Sequence, residues 1–223
     1  MGGKRIYGET YGCAANQHDF EIIRALAARA GYAWVDSVEQ ADVLLINTCG
    51  VKKPTEDKLL HRISVLHATK KPLIIAGCLP KIDLPAVTSS APAFAALIDP
   101  YTIEKLPEVL QRIELGERGI VELSKGPKPK IGLPHQRLNP FIEIVEISLG
   151  CLGSCAYCCV RFARGTLYSY DVREIVKKVE KAVESGGKEI WLTSQDCGAY
   201  GRDRGTKLTD LLKKVVEVSG DYR

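Results

Sequence analysis

Much that would mark a membrane, secreted or repetitive chain is missing from these 223 residues. No apolar run approaches the ~18 residues that a membrane-spanning helix needs. The first residues, MGGKRIYGETYGC, hold no apolar stretch of the signal-peptide kind, so a cytoplasmic address without membrane contact is expected. There is no internal repeat and no low-complexity tract, which excludes solenoid and fibrous architectures. G-x-G-x-x-G, Walker and hydrolase motifs are absent. Histidine is scarce: His18, His61, His67 and His135 form no ligand spacing, and His61 and His67, six apart, do not share a helix face. Charge of one sign is scarce too. Thirty-one basic against 27 acidic side chains leave +4, and residues 116–141 carry most of that excess. Such a small excess points only weakly to an anionic partner; a solvated connector explains it equally well.

What remains is globular composition, 45% hydrophobic, with length for two domains at most. In the first half, strand-like runs at 5–11, 42–47, 72–76 and 95–98 alternate with helical patterns at 17–30, 55–69 and 103–115. That alternation predicts an α/β fold with a doubly wound, Rossmann- or flavodoxin-like parallel sheet over residues 1–115. Residues 116–140 hold four of the eleven prolines and four glycines, and read as a linker with one short strand at 119–123. A second unit is expected over 141–223: a strand at 141–148, a helix from 172 to 185 capped by Asp171, a strand at 189–193 and a helix at 208–218. Two β/α units make only the start of a barrel, so the stretch after Cys158 is expected to be mobile or stabilised by a neighbouring chain.

Eight cysteines in a chain of this length, without an export signal, suggest metal ligands or catalytic thiols rather than disulfides. Cys151, Cys155 and Cys158 form a C-x3-C-x2-C loop directly after a strand. A structural zinc site normally takes four ligands in two pairs, and no clean second pair follows. Three thiolates on a cubane iron–sulfur cluster would leave one iron open, at the end of a β/α strand where such folds present ligands. Cys13, Cys49 and Cys78 are far apart in sequence, yet each follows a predicted strand and has a glycine neighbour, Gly12, Gly50 or Gly77. A parallel sheet would bring all three to one edge.

The C-x3-C-x2-C loop, with Tyr157 before its last cysteine, resembles the radical S-adenosylmethionine (SAM) superfamily. Together with Thr10–Cys13, Asn16, Asn47–Cys49, Ala76–Cys78, Arg161–Gly165 and residues 190–201, it resembles the methylthiotransferase family over nearly the whole chain. The last two stretches look closest to the archaeal and eukaryotic branch that acts on threonylcarbamoyladenosine in tRNA. The resemblance implies two 4Fe–4S clusters, one on Cys13, Cys49 and Cys78 and one on Cys151, Cys155 and Cys158. It implies SAM at the second cluster, with Tyr157, Gln195 and Asp196 as cofactor contacts and Asp196 as the candidate for the SAM amino group. It implies tRNA as partner, and conversion of N6-threonylcarbamoyladenosine next to the anticodon to its 2-methylthio derivative. The catalytic residues, the sulfur donor and the reductant are not legible.

Cys159 and Cys197 depart from the family pattern without touching a ligand position. Asn16 reads as a cluster neighbour or an ordinary N-cap; Arg161 and Arg164 as phosphate contacts or ion-paired side chains. Family members continue into further barrel units and a β-rich RNA-binding domain, so this chain alone is expected to fold without turning over. Two other readings stand beside the first: methylthiolation of a ribosomal-protein aspartate, and a non-catalytic zinc-binding RNA module.

Overall fold

A computed structural model describes residues 3–50 and 53–223. Strands β1 (Lys4–Thr10), β2 (Tyr32–Trp34), β3 (Val43–Thr48), β4 (Leu73–Gly77), β5 (Ala96–Ile98) and β6 (Ile120–Glu122) form one sheet in the order β2-β1-β3-β4-β5-β6. Every pairing in it is parallel. β3 and β4 are buried along their whole length, which is why they read as unbroken apolar runs rather than alternating ones. Helices α1 (Ala14–Arg29) and α5 (Leu106–Glu114) cover one face. The other face is covered by α2 (Lys53–Ala68) and α4 (Leu84–Ser90), with the single turn α3 (Leu79–Ile82) beside them. The doubly wound sheet expected from the sequence is present, with β6 from the proline-rich stretch as its sixth strand. β2 was not expected: three residues on a sheet edge leave too little pattern to read. Pro80 and Pro85 occupy first-turn positions of α3 and α4, where a missing N–H costs nothing.

The second half carries β7 (Ile142–Glu146), β8 (Ser148–Leu149), α6 (Val160–Arg164), β9 (Tyr168–Ser169), α7 (Val172–Glu184), β10 (Glu189–Thr193) and α8 (Leu208–Val215). β7 and β10 pair in parallel, as consecutive strands of a β/α barrel do. The strand expected at 141–148 is broken at Ile147, and its second piece, β8, pairs antiparallel with β9. Asp171 caps α7 in a reciprocal box: its carboxylate accepts from Arg173 N at 2.9 Å, and Glu174 accepts from Asp171 N at 3.3 Å. Residues beyond Cys158 are not loosely arranged. Ile175, Val179, Tyr200, Leu211 and Val215 close a core against Val145, Ile147 and Leu149. The last residue lies along the outer edge of β10, where Ile190 N donates to Arg223 O at 2.7 Å.

The two halves meet through α1, which packs on β1 and β3 with one side and on β7 and β10 with the other. A helix caught between two sheets has little solvent face, so several of its polar residues are buried as well. Asp19, His18 and Glu21 are each 2% exposed or less. Asp19 accepts from Arg164 Nη2 at 2.7 Å and from Lys130 Nζ, and Lys130 also reaches Glu146 at 2.8 Å. Beside this network, His18 meets Lys178 at 3.0 Å, and Glu143 binds His135 at 2.9 Å and Arg137 at 2.6 Å. Burial, reinforced by the Lys178 charge, keeps His18 far below the ordinary imidazole range and therefore neutral. Asp19, Lys130, Glu143, Glu146 and Arg164 are tolerated here because each has a partner of opposite sign, while Glu21, beside neutral His18, accepts from Leu138 N at 2.9 Å.

Candidate functional site

In a sheet ordered 2-1-3-4-5-6, the crevice for a ligand opens where the winding reverses, beyond the C-terminal ends of β1 and β3. Cys13 lies there as the N-cap of α1, and Cys49 directly follows β3. Cys78 stands next to them as the N-cap of α3. Cys13 is exposed; Cys49 and Cys78 are buried, and none of the eight cysteines forms a disulfide.

Polar groups at the strand ends hold the three loops in register. Thr48 O accepts from Asn16 Nδ2 at 2.9 Å and from Cys78 N at 3.0 Å, tying the first and third cysteine loops to the second. Asn47 Nδ2 donates to Asn16 O at 2.8 Å and Thr10 Oγ1 at 3.0 Å, and Thr48 Oγ1 donates to Ala76 O at 2.6 Å. Asn16 Oδ1 lies 3.5 Å from Cys13 Sγ, so Asn16 is a neighbour of the first trio; it is not the N-cap expected from the sequence, because α1 already starts at Ala14 with Cys13 as its N-cap. Gly12 and Gly77 permit the close approach. Both have positive φ, and a Cβ on them would lie 2.7 Å from Cys49 Cβ and 2.3 Å from Thr48 O respectively. Gly77→Ala is therefore expected to cost about 1–3 kcal/mol in backbone strain alone. It should lower iron retention at this trio while sparing the other; thermal unfolding and iron analysis after reconstitution check both.

The second trio sits on the loop between β8 and α6. Gly153 N donates to Cys151 Sγ at 3.2 Å, and Cys158 N to Cys155 O at 3.1 Å. A Cβ on Gly153 would lie 3.4 Å from Cys151 Sγ and 3.6 Å from Cys155 Sγ, so both sulfurs close over one small residue. Arg161 Nη1 donates to Gly153 O at 3.1 Å and braces the loop. Arg164, 1% exposed, is ion-paired with Asp19 in the interface. Of the two readings the sequence left open for it, the ion pair is the one realised.

Two cysteines of the first trio and all three of the second open on one cavity of about 580 Å³; Cys49, buried, is not in its lining. Cys13, Cys78, Cys151, Cys155 and Cys158 line it, with Asn16, Arg161, Phe162, Arg164, Ser194 and Gln195. Gln195 comes from the end of β10, and its buried Oε1 has no hydrogen-bond partner in the protein, an acceptor left for a ligand N–H. Asp196 is exposed at the start of the turn Cys197–Ala199 and does not line the cavity. Tyr157 points outward, 91% exposed. Burial raises the pKa of the Cys78 thiol against the opposing charge of Arg164. A larger cavity of about 670 Å³, between α7 and residues 131–137, contains no cysteine.

Cys159 and Cys197 serve packing. The Cys159 thiol donates to Gly50 O at 3.0 Å, and Cys197 accepts from Ser194 Oγ at 3.3 Å while packing on the second-half core. Serine at 159 keeps a donor toward Gly50, so Cys159→Ser is expected to retain wild-type iron content; a large iron loss would demand another ligand set. Sequence reasoning missed the Asp19–Arg164 and Lys130–Glu146 pairs. No local pattern announces them, since the partners lie 145 and 16 residues apart.

Among the described residues, no three His, Cys, Asp or Glu side chains converge on a single metal ion. A cubane cluster asks for something else, since each thiolate takes a different iron and the sulfurs stand around a larger group. The glycine cradle under Cys151 and Cys155 and the cavity shared by five thiols suit such a group.

The sequence matches the Uncharacterized protein family UPF0004 over residues 5–99 and the Radical SAM superfamily over residues 145–220. It is 40% identical over its whole length to the probable threonylcarbamoyladenosine tRNA methylthiotransferase of Methanothermobacter thermautotrophicus, covering 52% of that protein. It is 36% identical over 97% of its length to the threonylcarbamoyladenosine tRNA methylthiotransferase of Homo sapiens, covering 38% of it. The chain spans about half the length, or less, of the curated relatives it matches. Among solved structures, the radical SAM methyltransferase TsrM from Kitasatospora setae, with cobalamin and a [4Fe-4S] cluster bound, superposes with a TM-score of 0.62. At 12% identity, over 97% of this chain and 53% of that one, the likeness is one of fold. No helix among the described residues is long and apolar enough to cross a membrane.

Proposed function

We propose that this chain is the cluster-holding part of a tRNA methylthiotransferase that converts threonylcarbamoyladenosine to its 2-methylthio derivative. The observation that carries the reading is the single cavity lined by five of the six cysteines, Cys13 and Cys78 from one trio and Cys151, Cys155 and Cys158 from the other. Cys151, Cys155 and Cys158 would hold one 4Fe–4S cluster, and Cys13, Cys49 and Cys78 the other. When bound, these groups supply reductive cleavage of SAM at one site and an iron for the transferred sulfur at the other. Residues 1–115 and 141–223 act as two units joined by 116–140, and the cytoplasm is their expected compartment.

The protein's own part is placement. Thr48 O and the Asn16 and Asn47 amides keep the first three thiols at one sheet edge. The Gly153 amide donates to Cys151 Sγ at 3.2 Å and fixes the direction of that sulfur. Gln195 presents its unpaired carbonyl oxygen to the cavity, where it can accept a hydrogen bond from the SAM amino group. Asp196 and Tyr157 would reach SAM only by turning inward from their exposed positions. Phe162, exposed at the cavity wall, offers an aromatic face to an unstacked base, the usual way single-stranded RNA is held.

Electron paramagnetic resonance on the anaerobically reconstituted, reduced chain tests this. Adding SAM should change the spectrum of the Cys151/Cys155/Cys158 cluster. An anticodon stem-loop carrying threonylcarbamoyladenosine should change it further, and a ribosomal-protein peptide containing aspartate should not. A spectrum indifferent to SAM overturns the reading, and a response to the peptide alone moves it to protein methylthiolation. Zinc without iron or sulfide would support the RNA-binding module.

A further inference from the structure

The buried ion network between the halves lies beside the cavity, and one of its members belongs to both. Arg164 lines the cavity with Cys78, and its charge acts on that thiol. Its Nη2 donates to Asp19 Oδ2 at 2.7 Å, its Nη1 lies 3.6 Å from Glu146 Oε1, and its own carbonyl accepts from Tyr101 OH at 2.8 Å. Asp19 follows Cys13 by six residues of α1, and Arg164 follows Cys158 by six residues that include α6, each less than two helical turns. Gly165, next in sequence, accepts from Cys151 N at 3.1 Å. One side-chain pair therefore joins a short rigid path from Cys13 to a short rigid path toward Cys158 and Cys151.

We propose that Arg164, locked to Asp19, is the positioning residue that sets the separation of the two cysteine trios. The inference rests on the reading of both trios as cluster ligands. Stability alone does not account for the pair, because burying charges costs desolvation, and apolar side chains of equal volume often hold an interface as well. A guanidinium adds direction. Its planar fork fixes angle as well as distance, which neither an ammonium nor a greasy contact does. Lys130 and Glu146 supply the second cation and anion, so the network of Asp19, Lys130, Glu146 and Arg164 is neutral as a set.

The double variant Asp19→Asn/Arg164→Gln removes the interdomain pair without stranding a charge, since Lys130 and Glu146 remain paired. Hydrogen exchange on the metal-free 223-residue chain reads the register without any cluster. Amides of α6 and of Gly165 are expected to exchange at least tenfold faster in the double variant, with β3 and β4 unchanged. On the reconstituted protein, iron content should equal wild type while magnetic interaction between the two reduced clusters is weakened. Unchanged exchange in α6 together with unchanged interaction would overturn the proposal. Should exchange rise throughout the chain, Arg164→Lys decides: it keeps the charge and loses the fork, and a rise confined to α6 supports the proposal while none contradicts it. If wild-type protein itself binds one cluster, the functional reading fails on that measurement. The exchange result still decides, by its own rise or lack of one, whether Arg164 fixes the interface.

Discussion

Replacing Cys151, Cys155 and Cys158 together by alanine is expected to remove about half of the bound iron and sulfide and all reductive cleavage of SAM. Replacing Cys13, Cys49 and Cys78 should remove the other half and leave a SAM-responsive cluster behind. The independence follows from the structure. The first trio is held by Thr48, Asn16 and Asn47, groups at the edge of the six-stranded sheet; the second by a loop whose bonds run to Gly153, Gly165 and Arg161. Among the described residues, no backbone hydrogen bond joins a cysteine of one trio to a cysteine of the other, so emptying one site leaves the other's scaffold standing. Iron and acid-labile sulfide analysis on each triple variant checks this. A variant that kept the full iron load would show its trio is not a ligand set.

A second large effect is expected at Lys130. This residue, 3% exposed, comes from the proline-rich stretch and lies between Asp19 of α1 and Glu146 of β7. Its backbone N–H donates to Tyr170 OH at 3.0 Å, and its ammonium lies 5.9 Å from the Tyr101 ring centre. Lys130→Met keeps the stem's volume and leaves two carboxylates with Arg164 alone. Stranding a buried charge in this way costs about 3–5 kcal/mol. At roughly 2–4 °C per kcal/mol for a chain of this size, the melting temperature should fall by roughly 6–20 °C. A loss of less than about 1 kcal/mol would mean that water reaches the network and screens it as it screens surface pairs.

The sheet and the six cysteines were legible because their signals are local. Buried parallel strands read as apolar runs, glycine-cysteine pairs follow three of them, and C-x3-C-x2-C is a contiguous loop. β2 was not legible because three edge residues carry no period, and α3 and α4 were hidden by prolines that suit a first turn as well as a break. The helical pattern at 17–30 puts Phe20, Ile23, Leu26 and Ala27 on one face and says nothing of the burial of His18, Asp19 and Glu21. They are buried because a second sheet covers that side, a fact of tertiary placement that no window of sequence contains. The same cause hid the role of Arg164, whose partner stands 145 residues away. Gln195 was assigned to the cavity from its place at a strand end, and it lines it; Asp196 and Tyr157, equally close in sequence to the site, face away. At one residue's spacing from a strand end or a ligand cysteine, sequence position sets the neighbourhood but not the direction of a side chain.

The central claim, that one chain holds two clusters around a shared cavity, is tested most directly by metal and sulfide stoichiometry. Anaerobically reconstituted wild-type protein, freed of loosely bound metal, should contain about eight iron and about eight sulfide per chain and no stoichiometric zinc. About four of each would leave one trio without its cluster, and zinc in place of iron and sulfide would contradict the account outright.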